Sequence, residues 1–345
     1  MKAALFDGVG HPLRIDDISV PEPAHDEVLI KIAACGICGS DLHMTEDPAT
    51  FGLKPYDVLG HEFAGEVVRC GSGVSDLKPG DRVAVAPMRS CGHCERCRHG
   101  EPAWCAEMRL IGGGYAEFAT VAARQCRILP QGLPTAEGAL AEPLAVALHV
   151  VVQSGLKPGD RVLILGAGPI GLLVAFWARR YSASDVIVAD LGRHQEARAA
   201  ALGATGFALS GPDLAAEFRD QAGAAPDIVF ECVGKRGLID FACRLVRPHG
   251  TVLGVGLCVG GDEWDPFVAL SKEITLAFAV FFNMAEFETA LDALGPGRFR
   301  PQELITARIG FADVAETFEA LRRRTTQCKV LITAEAGRSA NSGRN

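Results

Sequence analysis

The stretch Arg161-Val162-Leu163-Ile164-Leu165-Gly166-Ala167-Gly168-Pro169-Ile170-Gly171 decides the fold. Its first five residues read as a buried strand. The G-x-G-x-x-G that follows opens a helical pattern over 170–180. Gly166 permits a tight turn, Gly168 lets a pyrophosphate approach the backbone, and Gly171 lets the helix pack on the strand. Pro169 and Ile170 complete the loop. A bound pyrophosphate would rest on the helix N-terminus, where unpaired N–H groups favour an anion. The next strand ends in Asp190, placed to hydrogen-bond an adenosine ribose. Its charge repels a 2′-phosphate, so NAD is favoured over NADP, with Arg193 near enough to pull the other way.

Strand and helix signals alternate from this stretch onward. Strands are predicted at 186–189, 228–230 and 250–255, with a helix over 195–202. That alternation means a parallel sheet covered by helices. Upstream the pattern differs: 26–33, 66–69 and 80–85 are short β runs with few helical stretches, an all-β or barrel-like unit. Residues 144–154 read as a buried helix, and 286–294 and 311–324 as two more. A strand at 329–332 closes the ordered part, and the small, polar tail 334–345 is expected to be mobile. The division is a cofactor domain at 150–280 and a second domain from 1–149 plus 281–345.

Composition narrows the class. The 345 residues are 48% hydrophobic and 22% charged, enough for two cored domains. A net charge of −8 argues against nucleic acid, which wants basic clusters. The run Arg322-Arg323-Arg324 reads as the basic end of a helix. No signal peptide opens the chain and no apolar run reads as membrane-spanning. A cytoplasmic location is expected, where the twelve cysteines are thiols and metal ligands more than disulfides.

Four cysteines carry a pattern: Cys91, Cys94, Cys97 and Cys105, or C-x2-C-x2-C-x7-C, in a lobe of about 88–108. Four thiolates this close read as a closed tetrahedral zinc site with a structural role. An iron–sulfur cluster is the competing reading, and His93 is expected to point to solvent. A second constellation combines Cys38, Ser40, Asp41 and His43 with His61 and Glu62. Sulfur, nitrogen and carboxylate together suit a soft divalent metal, here a catalytic zinc. The hydroxyl and the spare histidine suit a proton leaving a buried site.

Five motifs in order resemble the zinc-dependent medium-chain alcohol dehydrogenases of the sorbitol, threonine and butanediol type. They are Cys35 to His43, Gly60 to Glu62, the four-cysteine lobe, Ala141 to Leu144, and the glycine loop. The resemblance runs from the start of the chain to about Ile332. It implies a GroES-like β-barrel catalytic domain and a Rossmann cofactor domain. It also implies two zincs per chain and hydride transfer between an alcohol and NAD to give a ketone or aldehyde. Cys38 and His61 are the implied ligands, with Glu62 and Glu142 sharing the rest and Glu142 the expected donor. Asp41 would orient His61, and Ser40 would pass a proton through the nicotinamide ribose hydroxyl to His43. Cys35 is left to packing.

The resemblance also bears on substrate. Polyol-type relatives carry an arginine where Phe281 aligns, so with Phe51 and Phe282 the pocket is expected to be apolar. The substrate would then be a secondary, cyclic or bulky alcohol, with a polyol, threonine or butanediol as the alternative. A homodimer or homotetramer is implied. A non-catalytic NAD(H)-binding redox sensor of the same fold should have lost Cys38, His61 or the relay, and none is lost. A zinc-ribbon nucleic-acid binder lacks its basic stripe. A zinc-free quinone reductase would not keep the ligands.

Overall fold

Two compact units make up the computed structural model, which describes residues 1–323 and 326–334. Arg324 and all but the first residue of the tail read above lie outside the described residues. One unit comprises Met1–Glu142, Asn283–Gly295 and the segment from Ile305 on. The other comprises Pro143–Phe282 with Pro296–Leu304.

The second unit is built on six parallel strands. Their order across the sheet is Gly206–Leu209, Asp185–Asp190, Arg161–Leu165, Ile228–Glu231, Thr251–Gly254 and Thr275–Phe278. The chain's first strand of this unit therefore lies in the middle, and the order reverses beside it. A crevice at such a switch point is where dinucleotides bind. The strands are almost continuously apolar because helices cover both faces. Leu163, Ile187, Val229 and Val252 pack with Leu214, Phe218 and Ala242 of the helices.

At the other end of that central strand, Asp227 ties two arginines. Its carboxylate accepts from the Arg161 backbone N–H and Nε, each at 2.8 Å, and from Arg247 Nε at 2.5 Å. Burial alone would raise the Asp227 pKa, but the two arginines outweigh it and hold the carboxyl well below the usual range. The folded pKa thus lies below the unfolded one, so the stabilisation is present above about pH 4 and fades as pH falls. Asp227→Asn is expected to cost about 1–3 kcal/mol at pH 7, since the arginines are only partly shielded from water. Urea melts of mutant and wild type should converge toward pH 3; a gap independent of pH would contradict this.

The first unit holds a seven-stranded sheet organised on Glu27–Gly36. That strand pairs with Glu62–Cys70 along its length. On its other edge it pairs with Phe118–Ala122 over its first half and with Lys329–Ile332 over its last two residues. Register shifts opposite Leu29/Ile30 and Ile32/Ala34 bend it between the two partners. As a result Gly36 stands opposite both Glu62 and Leu331. Beneath lies a core of Phe6, Val28, Ile30, Phe63, Tyr115 and Phe318 with their neighbours.

The helical segment Thr135–Gln153 passes the length and composition test for a membrane span, contrary to the reading above that no stretch does. However, 72% of the apolar window is buried inside the protein, the mark of a core helix.

Candidate functional site

Cys38 precedes the helix Gly39–Glu46, and the loop between Leu59 and Glu62 delivers His61 to it. Asp41 is the hub that joins them. It is fully buried, and its Oδ2 accepts the Cys38 N–H at 3.1 Å and the Tyr115 hydroxyl at 2.6 Å. Its Oδ1 lies 3.2 Å from His61 Nδ1 in an oblique approach, with no better-aligned partner among the described residues. The ring's other nitrogen, Nε2, faces Ser40 Oγ at 3.5 Å, and Ser40 Oγ donates to Cys38 Sγ at 3.2 Å. A proton kept on Nδ1 by Asp41 aims Nε2 at the donor set, where a metal would take the place of the ring's second proton.

Charge follows from this packing. Burial would lower the His61 pKa, but Asp41 and Cys38 outweigh it and place it well above the usual imidazole range. Burial likewise works to raise Asp41, and His61 and Tyr115 overcome it to hold the carboxyl low. Tyr115, buried among anions, is pushed well up.

Cys38, His61 and Glu62 each offer one donor atom, and the three atoms lie within 4.8 Å of one another. Thiolate, imidazole and carboxylate in that space fit a tetrahedral zinc with one position open. The sequence reading left Glu62 and Glu142 to share the remaining position and leaned toward Glu142. Glu142 lies in the first turn of Ala141–Gln153 and is buried, but it falls outside the three-donor set. Burial pushes its carboxyl up to about 7, against the pull of His61 and Lys329. Cys35 is buried, its Sγ 3.5 Å from the Gly36 carbonyl, and is not part of the set.

The relay residues are less tightly joined. Ser40 sits against the donors, whereas the His43 side chain is 42% exposed and faces Glu46 at 3.5 Å. Their shared helix is clamped from outside by Arg322. That guanidinium donates to the Leu42 carbonyl at 3.2 Å, Thr45 Oγ1 at 2.8 Å and Glu46 at 3.1 Å. Arg322 therefore does more than finish a helix. A cavity of about 260 Å³ reaches Asp41 and His61 and is walled by Met44, Phe51, Leu53 and Ile111. Phe51 is thus brought to the site. Phe281 belongs to the second unit, where it is half-buried in the left-handed region at φ 60°, and Phe282 is core.

The four-cysteine lobe closes on a short hairpin, Met88–Arg89 paired with Arg109–Leu110. Sγ separations are 3.5 Å for Cys94–Cys97, 3.6 Å for Cys105–Cys91 and 3.8 Å for Cys91–Cys97, and all four lie within 4.8 Å. No coordination position is left over, which suits a structural metal. Backbone N–H groups lower Cys91 to about 6. His93 is exposed, although with Cys91 and Glu107 it forms an overlapping donor group.

In the second unit the glycine loop lies at the C-terminal end of Arg161–Leu165, and the helix Pro169–Arg180 starts at Gly168. A Cβ on Gly171 would fall 2.0 Å from the Gly166 carbonyl oxygen, so only glycine lets the helix seat there. Asp190 Oδ2 accepts the Ala167 N–H at 2.9 Å and Oδ1 the Leu191 N–H at 2.5 Å. The carboxylate therefore braces the loop as well as ending the strand. Arg193 pairs with Glu196 at 2.9 Å.

Four residues had no place in the sequence reading: Tyr115, Gly36, Arg322 as a clamp, and Lys329. Lys329 Nζ meets both Glu62 oxygens, at 2.6 and 2.7 Å, with both side chains buried. The one signal for it was a lysine opening an otherwise apolar strand, Lys329-Val330-Leu331-Ile332.

Comparison with known proteins agrees with this geometry. Residues 24–131 match the alcohol dehydrogenase GroES-like domain, and 169–295 match the zinc-binding dehydrogenase domain. D-xylulose reductase A of Aspergillus niger is 32% identical over 327 residues, 90% of this chain and 91% of that protein. The crystal structure of 2R,3R-butanediol dehydrogenase from Bacillus subtilis superposes with a TM-score of 0.86 at 32% identity, covering 96% of this chain and 99% of that one. A zinc-binding dehydrogenase from Sinorhizobium meliloti bound to NADP gives 0.86 at 33% identity, covering 96% and 98%. The chain belongs to the zinc-type medium-chain dehydrogenase/reductase family, a GroES-like sheet domain with a Rossmann-like NAD(P)-binding domain, and is an NAD(P)-linked oxidoreductase acting on an alcohol or ketone.

Proposed function

We propose that this enzyme is a zinc-dependent, NAD-preferring dehydrogenase of small secondary alcohols with apolar or cyclic substituents. The observation that carries it is the Cys38–His61–Glu62 donor set, whose His61 also lines a cavity with Met44, Phe51, Leu53 and Ile111 in its wall. When bound, the metal would make the alcohol oxygen more acidic and the nicotinamide would accept the hydride. The chain's own residues do the rest. Tyr115 and Asp41 hold the His61 ring in one tautomer. Ser40 Oγ accepts the substrate's hydroxyl proton as it gives up its own, and His43, exposed on the same helix, takes up the outgoing proton and releases it to solvent. Cys91, Cys94, Cys97 and Cys105 hold a second, structural zinc. Asp190 favours NAD, since a 2′-phosphate would meet its carboxylate.

Assembly and location are part of the same reading. Thr275–Phe278 ends its sheet, pairing on one side only among the described residues. Phe278 on this strand and Phe267 on the preceding helix, Pro266–Lys272, are each 69% exposed. An open, apolar edge supports a homo-oligomer joined there. Twelve free thiols suit a reducing cytoplasm.

A second reading, a polyol dehydrogenase, is favoured by the similarity to D-xylulose reductase A. Metal analysis and turnover on cyclohexanol, sorbitol, D-xylulose and butanediol with NAD or NADP decide between them. The expected result is two zincs per chain, chelator-sensitive activity, and kcat/KM for cyclohexanol about tenfold or more above sorbitol, as one lost polar contact allows. A clear preference for sorbitol overturns the apolar pocket. Full activity without metal overturns the zinc centre.

A further inference from the structure

The strand Lys329–Ile332 begins with a lysine buried together with the carboxylate it meets. Side-chain exposure is 2% for Lys329 and 1% for Glu62. Nζ donates to Glu62 Oε2 at 2.6 Å, to Oε1 at 2.7 Å and to the Ile37 carbonyl at 3.2 Å. An ammonium has three donors, and all three are used. Gly36 makes room on the opposite side: a Cβ there would lie 2.0 Å from Glu62 Oε2. The carboxylate is thus fixed by strand register, by the ammonium and by a bare backbone.

Stability alone is a poor reason for this arrangement. A buried ion pair rarely does better than an apolar pair of the same size. The pair's position is more telling. An oxygen of Glu62 lies within 4.8 Å of donor atoms on Cys38 and His61. A carboxylate has about four lone-pair directions, so two hydrogen bonds from Nζ leave capacity for a metal.

We propose that Lys329 is a positioning residue of the metal centre, holding Glu62 beside the Cys38–His61 pair and offsetting its charge so that Glu62 is a weak, releasable ligand. This rests on reading Cys38, His61 and Glu62 as metal ligands. Without the ammonium, the Cys38 thiolate and the Glu62 carboxylate would both act at full strength on one cation, with Glu142 buried nearby. The metal would be held harder, and the position a substrate needs would be filled more of the time. With the ammonium, Glu62 stays in place yet competes little.

The test is zinc retention against a competing chelator. Zinc-loaded wild type should release metal in two steps, and Cys38→Ser should lack the one belonging to this centre. In Lys329→Met that step is expected to become about tenfold or more tighter, because a nearby positive charge has been removed. The four-cysteine step should not move, and alcohol turnover should fall. Glu62→Gln added to Lys329→Met should return retention to within about threefold of wild type, as expected when a charge pair is removed together. A lysine that only supported the fold would give the opposite sign, with zinc lost more easily. Unchanged or weaker retention in folded Lys329→Met overturns the proposal. If that single variant does not fold, the double variant decides, since a loss of about a hundredfold there would mean Glu62 was a full-strength ligand all along. A wild type with no Cys38-dependent step overturns the metal-centre reading itself, which is a separate outcome.

Discussion

Cys38→Ser is expected to lower alcohol turnover by about a thousandfold and to remove one of two bound zincs while the chain stays folded. The size follows from what the metal contributes. Lewis-acid stabilisation of charge on the substrate oxygen is worth several kcal/mol, and about 4 kcal/mol is a thousandfold in rate. The fold should survive because Cys38 is only half-buried, and the sheet beneath it, Glu27–Gly36 with Glu62–Cys70, does not use its side chain. A graded companion is Asp41→Asn. Asp41 touches no substrate but fixes the His61 ring and accepts the Tyr115 hydroxyl, so a loss of about 10–100-fold is expected, typical of a ligand's supporting partner. Zinc content, circular dichroism and turnover separate these cases. Near wild-type turnover in Cys38→Ser would remove this residue from the chemistry.

The second large effect is expected on structure. Cys97→Ser should lose the other zinc, open the lobe between Ser90 and Met108 to proteolysis, and lower the melting temperature. The lobe has little else to hold it. Its hairpin contributes two register pairs, and Cys91, Cys94 and Cys97 are all partly exposed. Its base is tied by Arg89 to Glu27 at 2.5 Å, by Arg124 to the Ser90 carbonyl, and by the Met284 N–H to the Gly100 carbonyl at 2.8 Å. The first two anchor one end and the third a single backbone point, leaving the rest to the metal. Structural zinc in small domains contributes about 10–16 kcal/mol, far above what such contacts supply. Unchanged zinc content and protease resistance in Cys97→Ser would refute the structural role.

Much of this was legible in the sequence, and the gaps have a common cause. The parallel sheet was readable because its strands are uninterrupted apolar runs bounded by turns, as at Val162 to Leu165. The metal donors were readable because Cys38 and His61 have few other uses in such company. What could not be read was pairing between distant segments. The sequence reads a strand only over 66–69, whereas it runs Glu62–Cys70, and nothing near Glu62 in the chain shows that a lysine meets its carboxylate. That lysine is 267 residues away. Nothing in the sequence singles out Tyr115, since its buried ring belongs to the core and only the hydroxyl's partner, Asp41, reveals its second use. Spacing likewise says nothing of which carboxylate the fold brings to Cys38; Glu62 shares a candidate donor group with it, and Glu142 does not.

The late arrival of Lys329 also affects how the protein is made. Synthesis runs from the N-terminus at about 5–20 residues per second, so Cys38, His61, Glu62 and Glu142 all exist roughly 10–40 s before the lysine leaves the ribosome. During that interval the strand Glu27–Gly36 lacks its last neighbour, and Glu62 is a buried-to-be anion with no cation of its own. If Lys329 offsets the Glu62 charge as proposed, a chain whose donors have already come together in that state would hold a divalent ion harder than the finished enzyme does. Completion of the C-terminal strand would then relax the grip, so on this proposal the final stretch of translation adjusts a centre whose donors were all synthesised long before.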